Sequence, residues 1–274
     1  MNKLQNKLME LVYDGSIKAE DGIKVYKELS DVNDSYNNQQ LMEIAVVGMS
    51  GIFPHADNVS KFWENVVGGK DCIDAIDKRW EDISEIYSSE SDTNSKSYCK
   101  WGGLLDSIYN FDPSFFELSP RQAELMEPRQ RLILMEIWKT FEDAGFSKEQ
   151  LNNSNCGVFI GCEGSSDYFK DMKGELMNGH VVLGHSNAIL SSRISYFLNL
   201  TGANVTIDTA CSSSLVAVHS ACTSLVNGEC EMAIAGGATV MTDPHIYPLL
   251  CSMGMLSHDG KCKTFDESAD GFIP

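Results

Sequence analysis

Between Asp208 and Glu229 the chain carries no Asp, Glu, Lys or Arg, and this uncharged stretch constrains the fold more than any other feature. Leu215, Val218, Cys222, Leu225 and Val226 recur within it at helical spacing. A helix without a charged face is normally covered on all sides. Ser and Thr interrupt its apolar residues, so it does not read as a membrane span. The helix is therefore expected at the centre of a thick, layered α/β fold. Just before it, Ala203-Asn-Val205-Thr-Ile207 alternates apolar and polar residues as a half-buried strand does. Asp208-Thr-Ala-Cys211-Ser-Ser-Ser214 then joins strand to helix and delivers one cysteine to the helix mouth. Unpaired backbone N–H groups converge there and favour a thiolate, which makes Cys211 the candidate nucleophile.

Other segments fit the same architecture. Glu43-Ile-Ala-Val-Val-Gly48 reads as a buried strand entering a glycine turn, but the spacing around it is not that of a phosphate cradle. Cys156–Gly161 and Glu231–Gly237 read as strands, and Ser186–Leu198 as a helix. A further helix starts at Ser119-Pro120 and runs toward Gly145, with a break or kink expected at Pro128. Strands alternating with helices argue an α/β fold. Residues 1–29 look like two short amphipathic helices separated by Asp14-Gly15, with Leu4, Leu8, Leu11 and Val12 on one stripe and Ile23, Tyr26 and Leu29 on the other. The polar run from Ser30 to Gln40 reads as a linker. The expected division is a helical docking and linker segment over 1–40, then one main domain over 41–274.

Composition removes several function classes. A net charge of −18 opposes binding to nucleic acid. The N-terminal residues lack the apolar core of a secretory signal, and no apolar run approaches bilayer length. Nine cysteines without a C-x-x-C pair argue against both a disulfide framework and a zinc site, so a reducing cytoplasm is the expected setting. Most of these cysteines are expected to be inert core thiols. An acidic protein partner would need a local basic patch, for which Arg121, Arg129, Arg131 and Lys139 are the candidates; solvated helix charges are the equal alternative.

A base for Cys211 is not evident. His219, eight residues on along the same helix, is about 12 Å away. It is expected to be buried in a structural hydrogen bond. Asp208 lies about 10 Å back on the opposite strand face and is not expected to orient the cysteine. His180 and His185 fall in a glycine-bounded loop, and His55, His245 and His258 in other loops. No G-x-S-x-G elbow supports serine hydrolysis.

Four ordered segments resemble the β-ketoacyl synthase domains of modular polyketide synthases. They are Glu43-Ile-Ala-Val-Val-Gly-Met-Ser-Gly-Ile-Phe-Pro54, Glu127-Pro-Arg-Gln-Arg-Leu132, Asp208-Thr-Ala-Cys-Ser-Ser-Ser214 and Lys263-Thr-Phe-Asp-Glu-Ser-Ala-Asp-Gly-Phe272. The single-domain condensing enzymes of fatty acid biosynthesis are a less close match. The resemblance implies a thiolase-like fold, layered α-β-α-β-α in the complete family, and a homodimer. It implies that Cys211 takes an acyl chain from the phosphopantetheine arm of an acyl carrier protein, with no cofactor bound directly and no metal. A malonyl-carrier unit then condenses with that chain as it loses CO₂. The family's catalytic histidines, lysine and second oxyanion donor belong to the half of the fold that would follow Pro274. This sequence is thus expected to be an amino-terminal portion, inactive in condensation without a complementary carboxy-terminal half. Two alternatives stand beside it: a non-catalytic docking or scaffold fragment or truncated gene product, and a protein that loads and unloads Cys211 without condensation.

Overall fold

A computed structural model describes residues 3–37, 43–89, 95–164 and 179–274. The chain divides into two compact units, Met1–Ala45 and Val46–Pro274.

The first unit is a helical hairpin of α1 (Lys3–Tyr13) and α2 (Ala19–Asn37). Gly15, at φ 79°, makes the turn, as the Asp14-Gly15 pair predicts. Leu8 is buried, and Val12 fills the space above Gly22, where an added Cβ would lie 2.3 Å from Val12 Cγ2. The predicted stripe on the second helix is not a core: Ile23 and Tyr26 are exposed. Leu4 and Leu29 lie outside the residues whose side chains are described. The expected linker from Ser30 is helical as far as Asn37. Extending a helix fixes one residue per hydrogen bond gained, which is far easier than nucleating it. The rest of that run, 38–40, lies outside the described residues.

In the second unit three strands form a parallel sheet: β3 (Cys156–Gly161) at the centre, β4 (Asn204–Ile207) on one side and β5 (Met232–Gly237) on the other. A separate two-stranded ladder pairs β1 (Asp74–Ala75) with β2 (Trp101–Gly102). Parallel neighbours need long crossovers, and helices supply them here. β3 is buried at every position, as its continuous apolar run requires of a central strand. Its even-numbered side chains Cys156, Val158 and Ile160 enter a core with Leu134, Ile137 and Phe141 of α5 (Pro128–Asp143) and Leu190, Ile194 and Phe197 of α8 (Asn187–Leu198). Burying each such aliphatic side chain contributes about 1.5–3 kcal/mol relative to leaving it exposed. Phe159 points to the opposite face, against Ala217 and Ala221 of α9 (Ser213–Val226). The sheet is therefore covered by helices on both faces.

The predicted Ser119 helix is two helices. Ser119 caps α4 (Pro120–Glu124) with a reciprocal capping box, and Pro128 opens α5 rather than merely kinking one long helix.

Three expectations fail. Residues 43–50 form no strand, and Val46, Val47 and Met49 are exposed at 79%, 63% and 59%. A strand needs a neighbouring ladder, and no described strand runs beside this segment. Its tethers are instead Met49 N–H to Asp143 Oδ2 at 2.9 Å and Ser50 Oγ to Glu136 Oε2. Helix α9 is not covered on all sides. Its small residues Ser213, Ala217, Ala221 and Ser224 are buried, while Leu215, Val218 and Val226 are 74%, 46% and 50% exposed. The absence of charge thus marks two apolar faces, of which the described residues cover one. Nor do the four candidate cations form a basic patch. Arg129 and Arg131 are buried, while Arg121 and Lys139 are surface charges paired with Glu124 and Glu136.

Candidate active site

The site lies at the carboxyl ends of the parallel strands, where open α/β sheets place their ligands. β4 ends at Ile207, beside Gly161 of β3, and the chain turns through Thr209–Ser212 into α9. The first turn of α9 rests directly on the strand ends. A Cβ on Gly161 would lie 2.5 Å from the Ser213 carbonyl carbon and Ser214 nitrogen, and one on Gly237 would lie 2.7 Å from Ser214 Cβ. Two glycines at strand ends are what allow the helix mouth to approach this closely.

The turn itself is strained. Ala210, immediately before Cys211, has φ 53°. A non-glycine residue in the left-handed region costs about 1–2 kcal/mol and persists only where its surroundings fix it. Here they do. Ser213 Oγ, in a buried residue, accepts the Thr209 N–H at 2.8 Å and donates to Ala210 O at 2.7 Å. Ser212 Oγ donates to Thr209 O at 2.8 Å, and the Ser213 N–H donates to Ala210 O at 3.0 Å. Asp208 accepts the Ala210 N–H at 3.1 Å through one carboxylate oxygen and the Gly164 N–H at 2.9 Å through the other. These N–H groups, Gly164 foremost, hold the Asp208 carboxyl below its ordinary value. None of these bonds uses the backbone N–H or thiol of Cys211, and Cys211 is exposed. The corner thus presents a free thiol at the start of a helix.

Asp208 makes no bond to Cys211, in line with the strand geometry, but it holds the turn by accepting N–H groups from the segments that follow β3 and β4. Neither this nor the left-handed Ala210 and the hydroxyl bonds of Ser212 and Ser213 follows from the sequence pattern. Consecutive serines beside a cysteine, Ser212-Ser213-Ser214, signal hydroxyls available to fold back onto a tight turn.

The remaining cysteines sort by burial. Cys99, Cys156, Cys162, Cys230 and Cys251 are buried, Cys72 and Cys222 half-buried, and only Cys262 is exposed like Cys211. Burial pushes the Cys156 thiol up to about 12 and the Cys162 thiol up to about 11, which makes both poor nucleophiles. Among the described residues no group of three or more His, Cys, Asp or Glu side chains could hold a metal ion. No described helix is long and apolar enough to cross a membrane.

Among the described residues no histidine is hydrogen-bonded to Cys211. His219 is exposed, not buried, and its backbone carbonyl accepts Thr223 Oγ1. His185 closes a short helix, α7 (Gly179–His185), rather than sitting in a loop, and its Nε2 meets Leu125 O at 3.1 Å. Burial lowers its pKa to about 4, so it is neutral at physiological pH. His55 and His245 pair with Asp74 and Asp243, and His258 stacks on Tyr98.

Behind the corner lies a buried ion pair. Glu127 and Arg129, 2% and 5% exposed, meet with Nε 2.7 Å from Oε1. Burial lifts the Glu127 carboxyl above its ordinary range despite the neighbouring guanidinium. Arg129 also donates to the carbonyls of Glu163 and Gly164 and to Cys162 Sγ at 3.1 Å.

Residues 42–274 match the family described as β-ketoacyl synthase, N-terminal domain. Polyketide synthase PksL of Bacillus subtilis (strain 168) is 45% identical over 235 residues, covering 84% of this chain and 5% of the relative. Erythronolide synthase EryA3 of Saccharopolyspora erythraea is 41% identical over 233 residues, covering 84% of this chain and 7% of the relative. Among solved structures, the ketosynthase from module 6 of the bacillaene synthase of Bacillus subtilis 168 superposes with a TM-score of 0.73 at 44% identity, over 84% of this chain and 38% of that one. The ketosynthase domain OzmH KS7 of Streptomyces albus JA3453 does so with a TM-score of 0.76 at 36% identity, over 85% and 40%. The chain therefore spans a small fraction of its curated relatives and less than half of a solved ketosynthase. With that match in sequence and in thiolase-like fold, the chain belongs to the β-ketoacyl synthase family, within the ketosynthases of polyketide synthases.

Proposed function

We propose that Cys211 is the acyl-accepting nucleophile of a polyketide 3-oxoacyl-[acyl-carrier-protein] synthase. The observation that carries this is the exposed thiol behind a left-handed Ala210, at the mouth of a helix seated on the strand ends. In the first step the Cys211 thiolate attacks the carbonyl carbon of an acyl thioester on the phosphopantetheine of an acyl carrier protein. The new C–S bond forms as the bond to the pantetheine sulfur breaks, and that sulfur leaves as a thiolate and takes up a proton. The Cys211 backbone N–H, unused in the corner, serves as one donor to the oxyanion that develops on the carbonyl oxygen.

In the second step a malonyl thioester on a carrier loses CO₂. The electron pair of the broken C–C bond makes an enolate, whose carbon attacks the acyl carbonyl and expels the Cys211 thiolate. An enolate needs donors to stabilise it, and no described histidine is bonded at Cys211. We assign those donors to a carboxy-terminal ketosynthase half that packs on the apolar outer face of α9, within a homodimer. A nucleophile that must remain a free thiol fits the reducing cytoplasm.

The test is incubation of the chain with acyl-carrier thioester and malonyl-carrier thioester, alone and with a carboxy-terminal ketosynthase half. Mass analysis follows the Cys211 peptide and the product. Extension only with the added half supports the proposal. A Cys211 adduct without extension in both arms leaves an acyl-transfer protein. No adduct in either arm leaves a scaffold fragment.

A further inference from the structure

We propose that Arg129 is a positioning residue for Cys211, acting through Gly164 and Asp208. The proposal rests on reading Cys211 as the nucleophile, and gives Arg129 a role other than the surface patch for which the sequence made it a candidate. The connection is continuous. Arg129 Nη1 donates to Glu163 O and Nη2 to Gly164 O at 3.3 Å. The same Gly164 donates its N–H to Asp208 Oδ2 at 2.9 Å, and Asp208 Oδ1 takes the Ala210 N–H at 3.1 Å. Ala210 is the strained residue that aims Cys211.

Each link has a physical reason. Gly164 has φ 45°, so the end of this segment depends on outside contacts for its conformation. Asn187 Nδ2 holds its carbonyl from one side and Arg129 from another. A planar guanidinium presents five N–H donors in a fixed fork, which suits it to holding two successive carbonyls and a carboxylate together better than a compact ammonium. A buried ion pair is a poor source of net stability, because desolvation offsets the attraction. Glu127 and Arg129 are almost sealed from water, yet Arg129 points its remaining donors at the segment that anchors Asp208. Their arrangement suits geometric specification of the turn more than stability.

The cysteines of this chain supply the assay. Iodoacetamide is applied to the whole chain, and labelling of each cysteine is followed by mass spectrometry. Exposed Cys262 serves as the clock and buried Cys156 as the reporter of unfolding. Arg129→Met is expected to lower the Cys211/Cys262 rate ratio about two- to fivefold, the worth of a helix N-terminus at an exposed group. Arg129→Lys restores part of the loss. In an Asp208→Asn background, Arg129→Met lowers the ratio no further, since the path is already cut. If Arg129→Met exposes Cys156, the paired Glu127→Gln/Arg129→Met change, which removes both charges, takes its place in the same cycle.

An unchanged ratio, or losses that multiply independently in the double variant, would overturn the proposal. Alkylation needs no acyl carrier. Should Cys211 never be acylated while the cycle holds, the functional reading fails and the positioning stands.

Discussion

Ser213→Ala isolates the hydroxyl that locks the corner. Ser213 Oγ accepts the Thr209 N–H and donates to Ala210 O, and the residue is buried. Ala210 O keeps the Ser213 N–H at 3.0 Å after the change, so that acceptor stays satisfied. The losses are one net hydrogen bond, about 0.5–1.5 kcal/mol, and the partner of the Thr209 N–H, about 1–3 kcal/mol if water cannot replace it. Thr209 is exposed, so water replaces part of it, and the total comes to about 1–3 kcal/mol. Ser212→Ala is the control: its hydroxyl bonds the same turn at Thr209 O from an exposed position and should cost under about 0.5 kcal/mol. The assay is urea unfolding of both variants. At a slope of about 2–3 kcal/mol per molar, Ser213→Ala moves the midpoint down by about 0.3–1.5 M with the slope unchanged. Equal midpoints for the two variants would refute the description of Ser213 as the lock.

Three further outcomes are expected. Gly161→Ala places a methyl 2.5 Å from the α9 backbone and should lose about 1–3 kcal/mol in urea unfolding, while Gly69→Ala, which meets no neighbour, shows only its own backbone strain. His185, half-buried and neutral with a pKa lowered to about 4, binds its proton more readily when unfolded. Stability therefore falls as pH drops from about 6.5 toward about 4, and His185→Gln flattens that part of a pH series of melting temperatures. Leu215→Ser with Val218→Ser, on the exposed face of α9, changes the stability of this chain by under about 0.5 kcal/mol but abolishes binding of a carboxy-terminal ketosynthase half in a pull-down.

The elements with their own periodic pattern were legible in the sequence. β3, β5 and α8 fall where the apolar runs put them, and Pro128 marks a helix start as its chemistry requires. The strand-to-helix corner at Cys211 was also legible, because an alternating strand meets a helical repeat there. Tertiary partners were not. The run at Glu43–Gly48 is apolar enough for a strand, but a strand is completed by its neighbour and none is described. The uncharged α9 revealed two apolar faces without revealing that only the small-residue face is covered. Arg129 looked like a surface charge because sequence shows charge but not the carbonyls that a buried guanidinium will meet. The bonds of Asp208 to the Gly164 and Ala210 N–H groups are equally hidden, because they depend on how the ends of two strands lie beside each other.

The most direct measurement is site-resolved mass spectrometry of the chain after exposure to an acyl-carrier thioester. The acyl mass should appear on Cys211 and vanish in Cys211→Ala, while Cys262, also exposed but at no helix mouth, stays unmodified. Acylation spread equally over Cys211 and Cys262, or surviving in Cys211→Ala, would contradict the account.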